Sequence, residues 1–209
     1  MMRQSPSGTA SAPIRLPLFP LKTVLYPRGH LALKIFEQRY LAMAKSCLSA
    51  GTPFGVCLIT RGDEVVSPHA GATEFASVGT FARIRAWDMP QLGILQVTAV
   101  GEARFAVHSH EVMPDGLVVA DVAPIPPEPA VAMSAERRSL AELLERLAAR
   151  IGPQHFPDDH AFDDASWVGS RLAEILPLPL KTKQALLEMN DADARLAAVQ
   201  RFIDERVAS

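Results

Sequence analysis

Two hydrophobic rhythms divide the chain. Up to about residue 122, apolar residues come in short runs and alternations broken by glycine and proline. Beyond residue 133 they recur at intervals of three and four. The first rhythm predicts strands, the second amphipathic helices. At the start, Leu16, Leu18, Phe19 and Leu21 interleave with Pro17 and Pro20. Proline fixes its own φ and holds the preceding residue extended, so this segment reads as a rigid strand. Proline cannot donate to a ladder, which suits a sheet edge or a strand end. Tyr26-Pro27-Arg28-Gly29 has turn chemistry, with Gly29 free to take positive φ. Leu31, Leu33 and Ile35 then alternate with Ala32 and Lys34.

Residues 37–50 switch period. Tyr40, Met43, Ala44, Cys47 and Leu48 share one helical face, and Gly51 stands where a C′ glycine belongs. Phe36 and Tyr40, four apart, are expected in the core; Arg39 is expected to face water or pair with a carboxylate. Residues 54–59 read as a buried strand and 61–74 as a loop. Strands follow over 78–87, 94–100, 104–112 and 117–122. Asp88-Met89-Pro90, Gly101-Glu102 and Pro114-Asp115-Gly116 are the turns between them. Short strands at this spacing predict a small barrel-like sheet with one inserted helix.

Proline then dominates residues 123–129, a stiff extended linker. Ser134 is the expected N-cap of the next helix, with Glu136 favourable to its dipole. Leu140, Leu143, Leu144, Leu147 and Ile151 make a stripe that must be covered, since burial contributes about 1.5–3 kcal/mol per such side chain. Asp163-Asp164 opens a helix with Val168, Leu172, Ile175 and Leu176 inward, and Pro177-Leu178-Pro179 stops it. Residues 181–189 form a short helix. Asn190 or Asp191 caps the last, which carries Leu196, Val199, Phe202 or Ile203, and Val207. The second half is thus a bundle of about four helices.

The order LPLFPL, VLYPRG, LALKIFEQRY over residues 16–40 resembles the N-terminal, substrate-binding domain of Lon-type ATP-dependent proteases. Phe54-Gly55-Val56, Val78-Gly79-Thr80-Phe81 and Val100-Gly101-Glu102-Ala103-Arg104-Phe105 agree in series, and the likeness runs from Pro13 to the C-terminus. Tyr26 stands where phenylalanine is common in the family, and Arg28 moves Gly29 one place later. The resemblance implies an α+β fold, a PUA-like β pseudo-barrel with one inserted helix followed by a C-terminal helical bundle. The expected boundaries are a tail at 1–12, a β-rich part at 13–122, a proline-rich linker at 123–133 and the bundle at 134–209. It also implies a non-enzymatic protein- or peptide-binding module without ATPase or protease domains. The 209 residues contain no GxxxxGK[ST], no Gly-Lys pair and no GxSxG.

Charge narrows the partners. With 21 basic and 23 acidic residues the net charge is −2, a poor basis for gripping nucleic acid. An RNA-binding protein of PUA-like fold is the alternative; its basic groove would draw on Arg15, Arg28, Arg39, Arg83, Arg85 and Arg104. The expected partners are unfolded or flexible polypeptide segments, and a protease or chaperone component. Residues 1–12 lack a secretory apolar core and no run approaches a membrane span, so the chain reads as cytoplasmic.

No cofactor is implied. Cys47 and Cys57 form no CxxC pair and read as small buried hydrophobes. His155, Asp158, Asp159, His160, Asp163 and Asp164 are ligand types, but their spacing fits no known metal loop, and acids before a helix serve its dipole. His108 and His110 share a strand face without a visible third ligand. No catalytic site is expected. The candidate polypeptide-binding residues are Trp87 and Met89, flanking a predicted hairpin tip, and Glu37 and Arg39, opening the helix. The binding surface is expected between the β-rich part and the bundle.

Overall fold

The computed structural model describes residues 13–64, 73–152, 156 and 160–207. Its sheet contains β1 (Ile14–Leu21), β2 (His30–Ile35), β3 (Phe54–Arg61), β4 (Glu74–Phe75), β5 (Val78–Gln91), β6 (Ile94–Val112) and β7 (Val118–Pro124). Helix α1 (Gln38–Ala50) lies between β2 and β3. After a 3-10 turn at Ala135–Arg137 come α2 (Arg138–Ile151), α3 (Ala165–Ile175), α4 (Leu180–Glu188) and α5 (Ala192–Val207).

The strands run in the order β1-β7-β6-β5-β3, and β1 pairs with β3 to close the circuit. This closure is parallel, whereas the other pairings are antiparallel. It explains how β1 tolerates two prolines. Among the described residues, Ile14 to Pro17 pair only with β7 and Phe19 to Leu21 only with β3, while Leu18 pairs with both. Each half of β1 is therefore a local edge, where a missing N–H costs nothing.

Two expected turns lie inside strands. β6 is continuous through Gly101-Glu102, which the sequence reading placed between two strands. Gly101 is there for close approach: its N–H donates to Gly29 O (2.8 Å), and a Cβ would stand 2.2 Å from Tyr26 O. Likewise β5 runs through Asp88-Met89-Pro90 to Gln91, and the reversal falls at Leu92-Gly93, with Gly93 at φ 81°. The 26–29 turn also differs in detail. Arg28, not Gly29, takes the positive φ (64°). Gly29 is required because a Cβ would stand 2.0 Å from Glu174 Oε1.

Helix α1 buries Tyr40, Met43, Ala44 and Cys47 against Phe19, Phe54 and Leu95, and Gly51 closes it in the left-handed region. Phe36, expected in the core, is 54% exposed instead; it precedes the N-cap Glu37 and escapes the helix's buried face. Ser134 makes no side-chain cap, and α2 begins only at Arg138, after the 3-10 turn. Leu140 and Leu144 of α2 are buried with Val168 and Leu172 of α3 and Leu196 and Val199 of α5. Asp164 accepts from Ser166 N–H and Asp191 from Ala194 N–H, as helix starts require. Val24, Tyr26 and Leu58 join this helical core, which thus reaches onto one side of the barrel, while the barrel keeps two apolar clusters of its own.

Residues 125–133 are pinned along their length. Ile125 N–H donates to Arg104 O, Ala165 N–H to Val131 O and Met133 N–H to Asp163 O. Cys47 and Cys57 are free and buried. Burial pushes the Cys57 thiol up to about 12, which leaves it inert at neutral pH. Among the described residues no helix is long and apolar enough to cross a membrane.

Candidate functional site

Three of the concavities beside the barrel differ in chemistry. The first lies between the outer face of α1 and the β5–β6 hairpin. Pairing between β3 and β5 stops at Ala82, so the hairpin projects past the closed circuit. Leu41, Lys45 and Leu48 of α1 face Trp87, Met89 and Leu92 across a groove of about 530 Å³. Of its lining residues only Lys45 is charged. Trp87 is 58%, Met89 48% and Leu92 93% exposed. Large apolar side chains gathered at one surface mark contact sites. Among the described residues, the outer edge of β5 beyond Arg83 carries no strand. Pro90 and Arg85 blunt that edge, so the groove takes side chains more readily than the edge takes a strand.

The second concavity is the barrel mouth on the other side of the α1 N-terminus, a cleft of about 540 Å³. Glu37 and Arg39 sit here, paired at 2.9 Å. Arg39 also donates to Gly116 O (2.8 Å) and lies over the Tyr40 ring at 4.4 Å. It pairs with a carboxylate as expected, and it ties α1 to the β6–β7 turn. The four candidate residues therefore separate into two pairs, one on each side of α1; Gln38 lines both spaces.

The third concavity, about 330 Å³, is the junction of barrel and helices, where the sequence reading placed an apolar binding surface. The structure instead places buried charge there. Glu128, from the proline-rich segment, receives Arg195 Nη1 at 2.8 Å and a second bond from Arg195 Nη2. It also accepts from Ser166 Oγ (2.7 Å) and faces Arg104 Nη2 at 3.3 Å. Arg104 reaches Leu187 O, Met189 O and Asn190 Oδ1, closing the last carbonyls of α4. Burial raises the Glu128 carboxyl, but the Arg195 and Ser166 hydrogen bonds and the two arginine charges outweigh it and hold it below its ordinary value.

A second buried pair latches the 26–29 turn. Glu174 pairs with Arg171 at 2.7 Å and accepts from Tyr26 N–H, while Arg171 Nη2 donates to Pro27 O. The Tyr26 hydroxyl donates to Lys183 O at 2.6 Å. Burial pushes Glu174 up to about 7 against the opposing charges of Arg171 and Lys183. A fifth of its side chain opens on a 220 Å³ pocket.

The sequence singles out Trp87 and Met89 as candidates but not Leu92, the most exposed of the three, because the reversal falls at Leu92-Gly93 rather than at Asp88-Met89-Pro90. Nor does it single out Leu41 and Lys45; their spacing with Leu48 was the available signal. Of the ligand-type residues before α3, from which no metal site is expected, His155, Asp158 and Asp159 lie outside the described residues. Among the described residues no three such side chains gather. His110 lies against Phe75, ring to ring at 4.9 Å.

A closed barrel, a helix inserted between its strands and a helical cluster latched to its side define a mixed α+β fold. Residues 15–205 match the family model of the ATP-dependent protease La (LON) substrate-binding domain, and the chain belongs to that family. It is similar to the crystal structure of a Lon N-terminal domain protein from Xanthomonas campestris, at 34% identity and TM-score 0.72, over 90% of this chain and 98% of that one. The N-terminal domain of the Mycobacterium avium complex Lon protease shares the fold at 16% identity and TM-score 0.56, over 89% and 96%. The family makes the chain a substrate-recognition module.

Proposed function

We propose that this chain binds unfolded or flexible polypeptide segments through the groove between α1 and the β5–β6 hairpin. It performs no chemistry of its own, works in the cytoplasm, and delivers what it holds to a separate protease or chaperone component. The observation that carries this reading is the exposure of Trp87, Met89 and Leu92 beside Leu41 and Leu48 in one groove. Folded domains seldom leave such side chains together in water without a partner. A flexible chain loses conformational freedom on docking, so each segment binds weakly. Anisotropy of a labelled, chemically unfolded model protein tests this. Saturable binding in the micromolar range is expected; no binding by a folded sample at high micromolar concentration removes the reading.

The RNA-binding alternative loses its basis in the arginines. Arg15 pairs with Glu111, Arg39 with Glu37, Arg83 and Arg85 with Glu102, and Arg104 with Glu128. Arg28 lies over the Trp167 ring at 5.8 Å. Arginines paired with carboxylates present less net positive charge to a phosphate backbone.

A further inference from the structure

The barrel mouth has a composition the groove lacks. Its floor is apolar, with Pro20, Tyr40, Ile59, Phe75 and Val118 from four strands and α1. Its rim carries Glu37, Asp63, Glu64 and Asp115. Two of these are matched: Glu37 by Arg39, and Asp63 by Lys22 Nζ at 2.5 Å. The other two accept backbone N–H groups, Glu64 from Lys22 and Asp115 from Leu117, and among the described residues neither forms a close ion pair; the Lys22 ammonium, held by Asp63, attracts Glu64 only at longer range. Among the described residues, the mouth also contains strand edge without a partner: β6 leaves β5 after Ala106, residues 109–112 pair with β7 alone, and on the facing side two-residue β4 pairs with β3 alone.

We propose that the mouth is a second polypeptide subsite, selective for an extended segment whose bulky apolar side chain is flanked by lysine or arginine. It deepens the reading above and rests on it. The floor removes the apolar side chain from water, and the free edge of β6 offers main-chain partners. Glu64 and Asp115 attract the flanking cations and repel an acidic segment, which is how charge gives selectivity. Gln38 lines both mouth and groove. One flexible chain therefore reaches from one to the other, and the second contact forms at the high effective concentration set by the first.

The test uses the full chain and three labelled, unstructured peptides of equal length. One alternates leucine with lysine, one leucine with glutamate, and one leucine with serine. At about 50 mM salt the lysine peptide should bind at least about tenfold more tightly than the glutamate peptide, and the gap should close near 500 mM as screening shortens. The Glu64→Gln/Asp115→Asn variant changes charge at exposed, isosteric positions, and unchanged unfolding confirms its fold. It should abolish the lysine preference while leaving serine-peptide binding intact. Trp87→Ala should do the reverse, weakening the serine peptide and sparing the lysine preference. Equal binding of lysine and glutamate peptides, or a preference that survives Glu64→Gln/Asp115→Asn, overturns the subsite. Serine-peptide binding that ignores Trp87→Ala overturns the groove instead, so the two failures are separate.

Discussion

The two flanks of the barrel treat their side chains in opposite ways. Toward α2–α5, charge is buried: Arg104, Arg195 and Arg171 are each 5% exposed or less. Toward the hairpin, apolar surface is left in water at Trp87, Met89 and Leu92. Each arrangement costs free energy by itself. The buried arginines are compensated by Glu128, Glu174 and carbonyl oxygens, so they fix how the helices sit on the barrel. The exposed apolar groove has no compensation among the described residues, as expected of the surface proposed to meet another molecule. The buried ion pairs and the groove proposed for recognition thus lie on different flanks of one barrel.

The largest effects should come from breaking the latched side. Glu128→Ala leaves Arg104 and Arg195 buried beside each other without their shared anion. Uncompensated buried charge of this kind costs about 3–5 kcal/mol, read from denaturant unfolding. A loss below about 1 kcal/mol would mean water reaches the arginines and the latch is decorative. Gly101→Ala comes next, because its Cβ meets backbone at Tyr26 O and neither strand nor turn can yield without breaking Gly101 N–H to Gly29 O. Overpacking of this type costs about 1–3 kcal/mol.

Much of the fold was legible because its signals are local. Alternation located β2, period and a C′ glycine located α1, and caps located α3 and α5. What was illegible depends on partners distant in sequence. Gly101 looks like a turn glycine until Tyr26 O is known to press on it from 75 residues away. The proline-rich segment looks like a spacer until Arg195 and Arg104 close on Glu128. The same division holds for the site. Trp87 and Met89 stood out as large apolar residues near a turn, whereas their association with α1 rather than with Glu37 and Arg39 depends on where the β3–β5 pairing ends.

The latch should also respond to pH, with two carboxylates pulling in opposite directions. The Glu174 value is raised from 4.5 to about 7, so the folded state holds a proton that the unfolded chain has released. Stability from this group therefore declines as pH rises from about 4.5 to about 7. Glu128 is held below its ordinary value, so its contribution is present above that value and is lost as pH falls through the lowered one. Glu174→Gln keeps an acceptor for Tyr26 N–H but cannot titrate. The difference in melting temperature between wild type and this variant should change across pH 4.5 to 7 and stay level above it. A difference independent of pH would place Glu174 in water rather than in the latch.

The smallest effect on stability should come from the groove, and its smallness is what gives the comparison its force. Trp87→Ala/Met89→Ala removes side chains that keep about half their surface in water. Substitutions at such positions change the unfolding free energy by about 0.5 kcal/mol or less. Binding of the unfolded model protein should nevertheless fall about tenfold, since aromatic anchors dominate contact energy. The two numbers are informative only together. A variant that loses binding and stability in proportion would show that Trp87 and Met89 brace the hairpin. A variant that keeps its fold and its latch chemistry yet releases the polypeptide would show that the exposed flank is maintained for recognition alone. Glu128→Ala at a concentration of denaturant where it remains folded provides the reciprocal control: it should bind the unfolded protein as tightly as wild type while sitting several kcal/mol closer to unfolding.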